Sequence, residues 1–259
     1  MIDALLQSSV TRRVGRAVKR DVIQPVYSAL AAPFYGAITH VATDEPCVAL
    51  TFDDGPHPRW TPAVLEVLER HGAKGTFFCV GEAAAAHRDV VEAAARAGHA
   101  IGSHTATHRS LSRLPGGEAA RELADGHAAL GGLAAPIFRT PFGSYGIRVA
   151  QVARRLGLQC VLWDAHACDW LCLPPGELAR LLARALRPGA IVLLHDDLKS
   201  AGPEASTDRS ELVGALDEVL TANRDRYRFV TVPELLSMGR PVRSMYAGGV
   251  RESRAGAAK

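Results

Sequence analysis

With 259 residues, 47% of them apolar and 22% charged, the chain has room for one large α/β domain or two small ones and the balance of an ordinary globular enzyme. A formal net charge of +3 is too slight to argue for a nucleic-acid partner. No uninterrupted apolar run reaches the roughly 20 residues that a membrane-spanning helix needs.

The first 46 residues carry a basic cluster, Arg12, Arg13, Arg16, Lys19 and Arg20, then an apolar stretch from Val26 to Ala42 interrupted by Pro33, Gly36 and His40. The outline resembles a signal peptide, but no clean small-residue cleavage site follows. The segment therefore reads as a soluble N-terminal extension, able at most to rest weakly on a membrane surface. Five cysteines (47, 79, 160, 168 and 172) form no metal-ligand spacing, and their odd number suits reduced thiols in a cytoplasmic chain.

From residue 47 short apolar runs alternate with helical patterns, the signature of βα units and a mostly parallel sheet. The pattern predicts a strand over 48–52 and a helix over 61–71, with apolar Val64, Leu65 and Leu68 at helical spacing. It continues with strand 75–80, helix 89–97, strand 99–103 and helix 117–130. Strand 137–139, helix 147–156, strand 160–163 and helix 175–185 follow. The apolar run Ala-Ile-Val-Leu-Leu-His over 190–195 predicts a buried strand, and helix 211–222, strand 227–232 and a helix from 233 complete the series. About seven repeats without a linker define one catalytic domain over 47–240. The tail 241–259, rich in Gly, Ala, Arg and Ser from residue 248, reads as disordered.

Five motifs stand at predicted strand ends. The first, Thr51-Phe52-Asp53-Asp54-Gly55-Pro56, ends a strand in two adjacent carboxylates. Consecutive strand residues point to opposite faces, so both acids share a site only where the strand breaks, and Gly55-Pro56 breaks it there. Such acids serve as metal ligands or general bases; an Asp-rich turn capping the next helix is the plainer alternative. The second, His104-Thr105-Ala106-Thr107-His108, puts two imidazoles four residues apart, on one face if the segment makes a helical turn. With one carboxylate they form a two-His, one-Asp set suited to Zn²⁺ or another divalent transition metal. A turn cap with an exposed imidazole fits a bare His-x-x-x-His better, but the position just past a strand end, shared with Asp53-Asp54, favours the ligand set.

Phe138-Arg139-Thr140-Pro141-Phe142-Gly143 brings an Arg that can orient a carboxylate through a bidentate pair, in a loop whose N–H groups can face an oxyanion. Taken alone, it also reads as a surface ion pair. The fourth motif spans Trp163 to Trp170 and the fifth is Leu193-Leu194-His195-Asp196. His195, held by Asp169, would keep a proton near neutral pH as a general acid requires, with Trp170 and Leu193 walling the pocket. His99 reads as a core histidine.

In this order the five motifs resemble the polysaccharide deacetylase family (NodB homology, carbohydrate esterase family 4), over about three quarters of the chain. The resemblance implies a distorted (β/α) barrel and a metal-dependent N-deacetylase acting on N-acetylglucosamine-type sugars. It assigns Asp53 as general base, Asp54, His104 and His108 as ligands of one divalent ion (Zn²⁺ first, with Co²⁺, Ni²⁺ or Mn²⁺ as alternatives), and Arg139 as the residue positioning the base. It further implies the Phe142 N–H as oxyanion donor, His195 as general acid tuned by Asp169, and Trp170 and Leu193 as the wall for the acetyl methyl. One departure is His166, where family members often carry Asp; it reads as a substituted neighbour of the site rather than a new ligand. The rival is an amidohydrolase of the same superfamily acting on a small non-sugar amide or cyclic imide.

Overall fold

The computed structural model describes residues 24–174, 176–199 and 207–245. It begins with helix α1 (Gln24–Tyr35) and strand β1 (Ala37–Ala42). Strand–helix units follow: β2 (Cys47–Asp53) with α2 (Trp60–Arg70), then β3 (Gly75–Cys79) with α3 (Gly81–Ala86) and α4 (Arg88–Arg96). Next come β4 (Ala100–Ser103) with α5 (Gly116–Leu130), and β5 (Ala134–Phe138) with α6 (Ile147–Arg155). The short strands β6 (Gln159–Cys160) and β7 (Ala165–His166) precede α7 (Glu177–Ala185). The described chain closes with β8 (Ile191–His195), α8 (Ser210–Asn223), β9 (Arg228–Phe229), α9 (Val232–Leu236) and β10 (Arg240–Ser244).

All seven residues of β2 are buried, because helices cover one face and the barrel interior the other. The strands pair in the order β6-β5-β4-β3-β2-β8-β7, every pairing parallel, and β9 adds alongside the start of β2. This is the expected distorted (β/α) barrel, curled but not hydrogen-bonded into a ring. β1 fills the seam instead, bridging to Val161 on one side and Ala190 on the other.

Side-chain alternation decides which residues reach the interior. In β2, Val48, Leu50 and Phe52 pack outward with Val64, Leu68 and Leu216 of the helices. Cys47 and Ala49 join Phe78, Ile137 and Ile191 inside. The inward parity continues to Thr51 and Asp53 on β2, to Leu193 and His195 on β8, and to Arg139 just past β5. Five residues of three motifs thus enter one interior from strand parity alone.

Most predicted elements lie within a few residues of their expected positions. The differences concentrate at the ends. The apolar stretch in the N-terminal extension forms α1, which continues through Pro33, followed by β1. Gly36 makes the turn between them: a Cβ there would stand 2.5 Å from the Ala32 carbonyl oxygen. Residues 241–244, placed by sequence at the start of the disordered tail, join Arg240 in β10 and pair antiparallel with β1 from Ala37↔Ser244 to Ala42↔Arg240. The folded unit therefore takes in 37–46 and 241–244 besides 47–240. The rest of the expected tail, from residue 246, lies outside the described residues. The predicted strand 160–163 shrinks to β6 because Val161 and Leu162 turn toward β1 and Arg139.

Candidate active site

Asp53 is the last residue of β2 and Asp54 the first beyond it. With φ 74°, Asp54 takes a left-handed conformation that brings its side chain back beside that of Asp53. The pair shares a site by this one dihedral, as the strand-break argument requires. The next residue, Gly55, runs so close to Asp196 that a Cβ would lie 2.3 Å from its Oδ2.

The two histidines do meet Asp54, though not on a helical turn. Segment 104–108 is irregular, with Thr105 at φ 70° and His108 at φ 60°. The turn is built by local polar groups: the Ser103 hydroxyl accepts from Thr105 N at 3.3 Å and the Thr105 hydroxyl from His108 N at 3.1 Å. Glu122 of α5 supports it from outside, accepting from Thr107 N at 3.0 Å and from the Thr107 hydroxyl at 2.7 Å. The spacing of four succeeds here for a different reason than helical periodicity. Asp54 Oδ1 lies 3.3 Å from His104 Nε2 and 3.0 Å from His108 Nε2.

The electrostatics follow from these distances. Burial alone would raise Asp54, but hydrogen bonds and charge from His104 and His108 outweigh it and hold the carboxyl far below the usual range. His104 Nδ1–H donates to the Arg139 carbonyl at 3.0 Å, leaving Nε2 to offer its lone pair inward. Donor atoms of Asp54, His104 and His108 all lie within 4.8 Å of one another. A carboxylate and two imidazoles, with the first imidazole's tautomer fixed from behind, fit a divalent transition metal with open positions.

Arg139 is fully buried and has a partner in every direction. Its Nη1 donates to Asp53 Oδ1 and to the Thr51 hydroxyl, both at 2.7 Å. Its Nε donates to the Val161 carbonyl at 3.0 Å and Nη2 to the Leu162 carbonyl at 2.9 Å. The pair with Asp53 is single, not the bidentate fork expected from sequence, because the guanidinium's other nitrogens close the seam beside β6. Asp53 Oδ2 is left facing the site, 3.8 Å from His104 Nε2.

Across the interior, His195 lies in register with Asp53 on the neighbouring strand. Asp169 grips it twice, Oδ1 at 3.0 Å from Nδ1 and Oδ2 accepting from the backbone N at 2.7 Å. Burial opposes the imidazolium, yet Asp169, then Asp53 and Asp54, overcome that and push His195 up to about 9. Trp170 meets the His195 ring edge-on at 5.7 Å, and Leu193 sits buried one inward step before His195. Phe142 stands at the rim, 62% exposed, at φ 59°, with its ring 4.9 Å from His108. All ten residues singled out from sequence lie in or around this one interior.

His166 stays outside the donor set: it packs on Trp170 at 5.1 Å and its Nδ1 lies 3.2 Å from Cys168 Sγ. His99 lies away from the site; its Nδ1 accepts from Gly75 N at 3.0 Å and burial lowers it to about 4. Sequence reasoning gave no role to four supporting residues: Thr51 and Asp196, which stand inside two of the motifs, and Glu122 and Arg209, which stand in none. Arg209 donates to the Asp169 carbonyl at 2.8 Å, behind the pair with His195. Asp196 is fully buried, takes a hydrogen bond from the Thr61 hydroxyl, and is pushed up to about 7 by burial. Inward parity was the available signal for Thr51. The other three act across long sequence separations that no local pattern exposes.

The family model for polysaccharide deacetylase matches residues 40–161, a span that begins in β1 and ends just after β6. The chitooligosaccharide deacetylase of Azorhizobium caulinodans is 31% identical over 198 residues, covering 74% of this chain and 94% of that protein. The peptidoglycan-N-acetylglucosamine deacetylase of Bacillus cereus is 34% identical over 201 residues, covering 76% of this chain and 91% of that one. Among solved structures, the Bc1960 peptidoglycan N-acetylglucosamine deacetylase superposes with a TM-score of 0.70 at 28% identity, covering 81% of this chain and 95% of that chain.

Proposed function

The chain belongs to the polysaccharide deacetylase family, and from that premise we propose that it hydrolyses the N-acetyl group of an N-acetylglucosamine-type sugar to acetate and a free amine. One observation carries the reading. At one end of the barrel an Asp–His–His donor set adjoins a carboxylate with one oxygen uncommitted, Asp53, and an imidazole charged by its own carboxylate, His195.

Asp54, His104 and His108 would hold a divalent ion, Zn²⁺ in this proposal, which supplies Lewis acidity toward the amide carbonyl and lowers the pKa of the attacking water. Asp53 accepts that water's proton at Oδ2, while Arg139 fixes the carboxylate through Oδ1. The Phe142 N–H faces the negative charge that develops on the carbonyl oxygen. His195 gives the proton on Nε2 to the departing nitrogen, and Asp169 stabilises the charged ring through Nδ1 until it does. Trp170 and Leu193 enclose the methyl group. A cytoplasmic setting belongs to the same proposal, supported by the free thiols of all five cysteines.

The test is acetate release from N-acetylglucosamine oligomers by protein stripped with a chelator and then reloaded with Zn²⁺, Co²⁺, Ni²⁺ or Mn²⁺. Activity lost on stripping and restored by one of these ions supports the reading. Ring opening of a cyclic imide, with no acetate from any oligomer, would instead favour the small-amide amidohydrolase.

A further inference from the structure

A helix at a protein surface ordinarily carries charged residues on its outer side, and helix α1 departs from that. None of its twelve residues is charged. Its C-terminal end is tied to the barrel: Ala32 is buried, the Tyr35 carbonyl accepts from the Tyr145 hydroxyl at 2.8 Å, and the Gly36 carbonyl accepts from Arg243 Nη1 at 3.0 Å. The outer side presents Leu30 and Phe34, one helical turn apart and 71% and 72% exposed. Among the described residues these are the two most exposed large apolar side chains.

The surroundings are basic. Arg154 lies over the Tyr35 ring at 5.6 Å. Phe34, Arg154 and Arg243 line one cavity of about 230 Å³, and among the described residues no carboxylate lines it. In sequence alone, the stretch before residue 24 holds Arg12, Arg13, Arg16, Lys19 and Arg20 against Asp3 and Asp21 as acids. An uncharged apolar strip framed by cations is the chemistry of a surface that meets anionic lipid.

We propose that α1 and its flanking arginines dock on the surface of an anionic phospholipid bilayer, with Leu30 and Phe34 entering the boundary between headgroups and acyl chains. The helix lies on the bilayer and does not cross it. Twelve residues extend roughly 18 Å, short of the ~30 Å hydrocarbon core. A second copy of the chain fits less well. One helix side offers on the order of 200 Å², against the ~800 Å² per partner of a stable interface. Pairing two such faces would also bring Arg154 and Arg243 against their own copies. This inference does not depend on the activity proposed above.

The experiment is cosedimentation of the full chain with phosphatidylcholine vesicles, with and without about one third phosphatidylglycerol. The protein is expected to pellet with the anionic vesicles only, and to be released by about 0.5 M salt. Leu30→Asp with Phe34→Asp should lower partitioning by about tenfold or more at unchanged thermal unfolding, and Arg154→Glu should weaken it further. Three results would each overturn the proposal: no binding to anionic vesicles, binding undiminished in the double variant, or a dimer in sedimentation equilibrium that the double variant dissolves.

Discussion

Asp53 meets Arg139 through one oxygen only, Oδ1 at 2.7 Å from Nη1, while Asp54 one residue later turns both histidines toward its own Oδ1. Two neighbouring carboxylates are thereby committed to different partners. Asp53→Asn keeps an oxygen for Arg139 but loses the proton acceptor. Its turnover should fall by roughly two to four orders of magnitude with metal content unchanged. Asp54→Ala should lose the ion itself. Metal analysis beside initial rates separates the two, and equal metal loss in both variants would refute the division.

Asp169→Asn should move the alkaline limb of kcat/KM toward lower pH. Asp169 is the chief force raising His195 to about 9, so without its charge the ring loses its proton earlier. The same pair has a stability signature. A value raised above 6.5 in the folded state contributes stability that is complete below about pH 6.5 and lost as pH climbs through about 9. Melting temperatures across this window should fall in the native protein and remain flatter in the variant.

Glu122→Gln should weaken metal binding without removing a ligand. Its carboxylate holds Thr107 by two hydrogen bonds, and with them the turn that presents His108. Loss of support behind a ligand ordinarily costs about 10- to 100-fold in affinity, which competition with a chromogenic chelator would read.

Asp196→Asn should reshape stability below neutral pH. Burial lifts this carboxyl from 3.8 to about 7, so the folded state favours its neutral form. The stability it permits is full below pH 3.8 and declines as pH rises toward 7, by a few kcal/mol in order of magnitude. The variant carries no such charge and should show a smaller decline between those limits when unfolded by urea.

Alternation along β2 and β8 made most of the site readable, because inward parity at Thr51, Asp53, Leu193 and His195 is fixed wherever a strand is buried on both faces. The residues at strand ends followed from turn chemistry, with Asp54 the clearest case. His104 and His108 were found by spacing but misread in conformation, since side-chain hydrogen bonds from Ser103, Thr105 and Glu122 shape that turn more than helical propensity does. Arg139 was correctly sent toward Asp53, yet its single contact reflects carbonyls of Val161 and Leu162 more than 20 residues away. Pairing of β1 with β10 joins stretches some 200 residues apart, and nothing in either stretch announces the other.

That pairing sets Ala37 opposite Ser244 in adjacent antiparallel strands, so the two ends of the unit 37–244 stand side by side. A short linker could join them directly. The barrel should then tolerate being opened elsewhere, for instance between the exposed Gly131 and Gly132, giving a permuted chain with the same interior read in a different order.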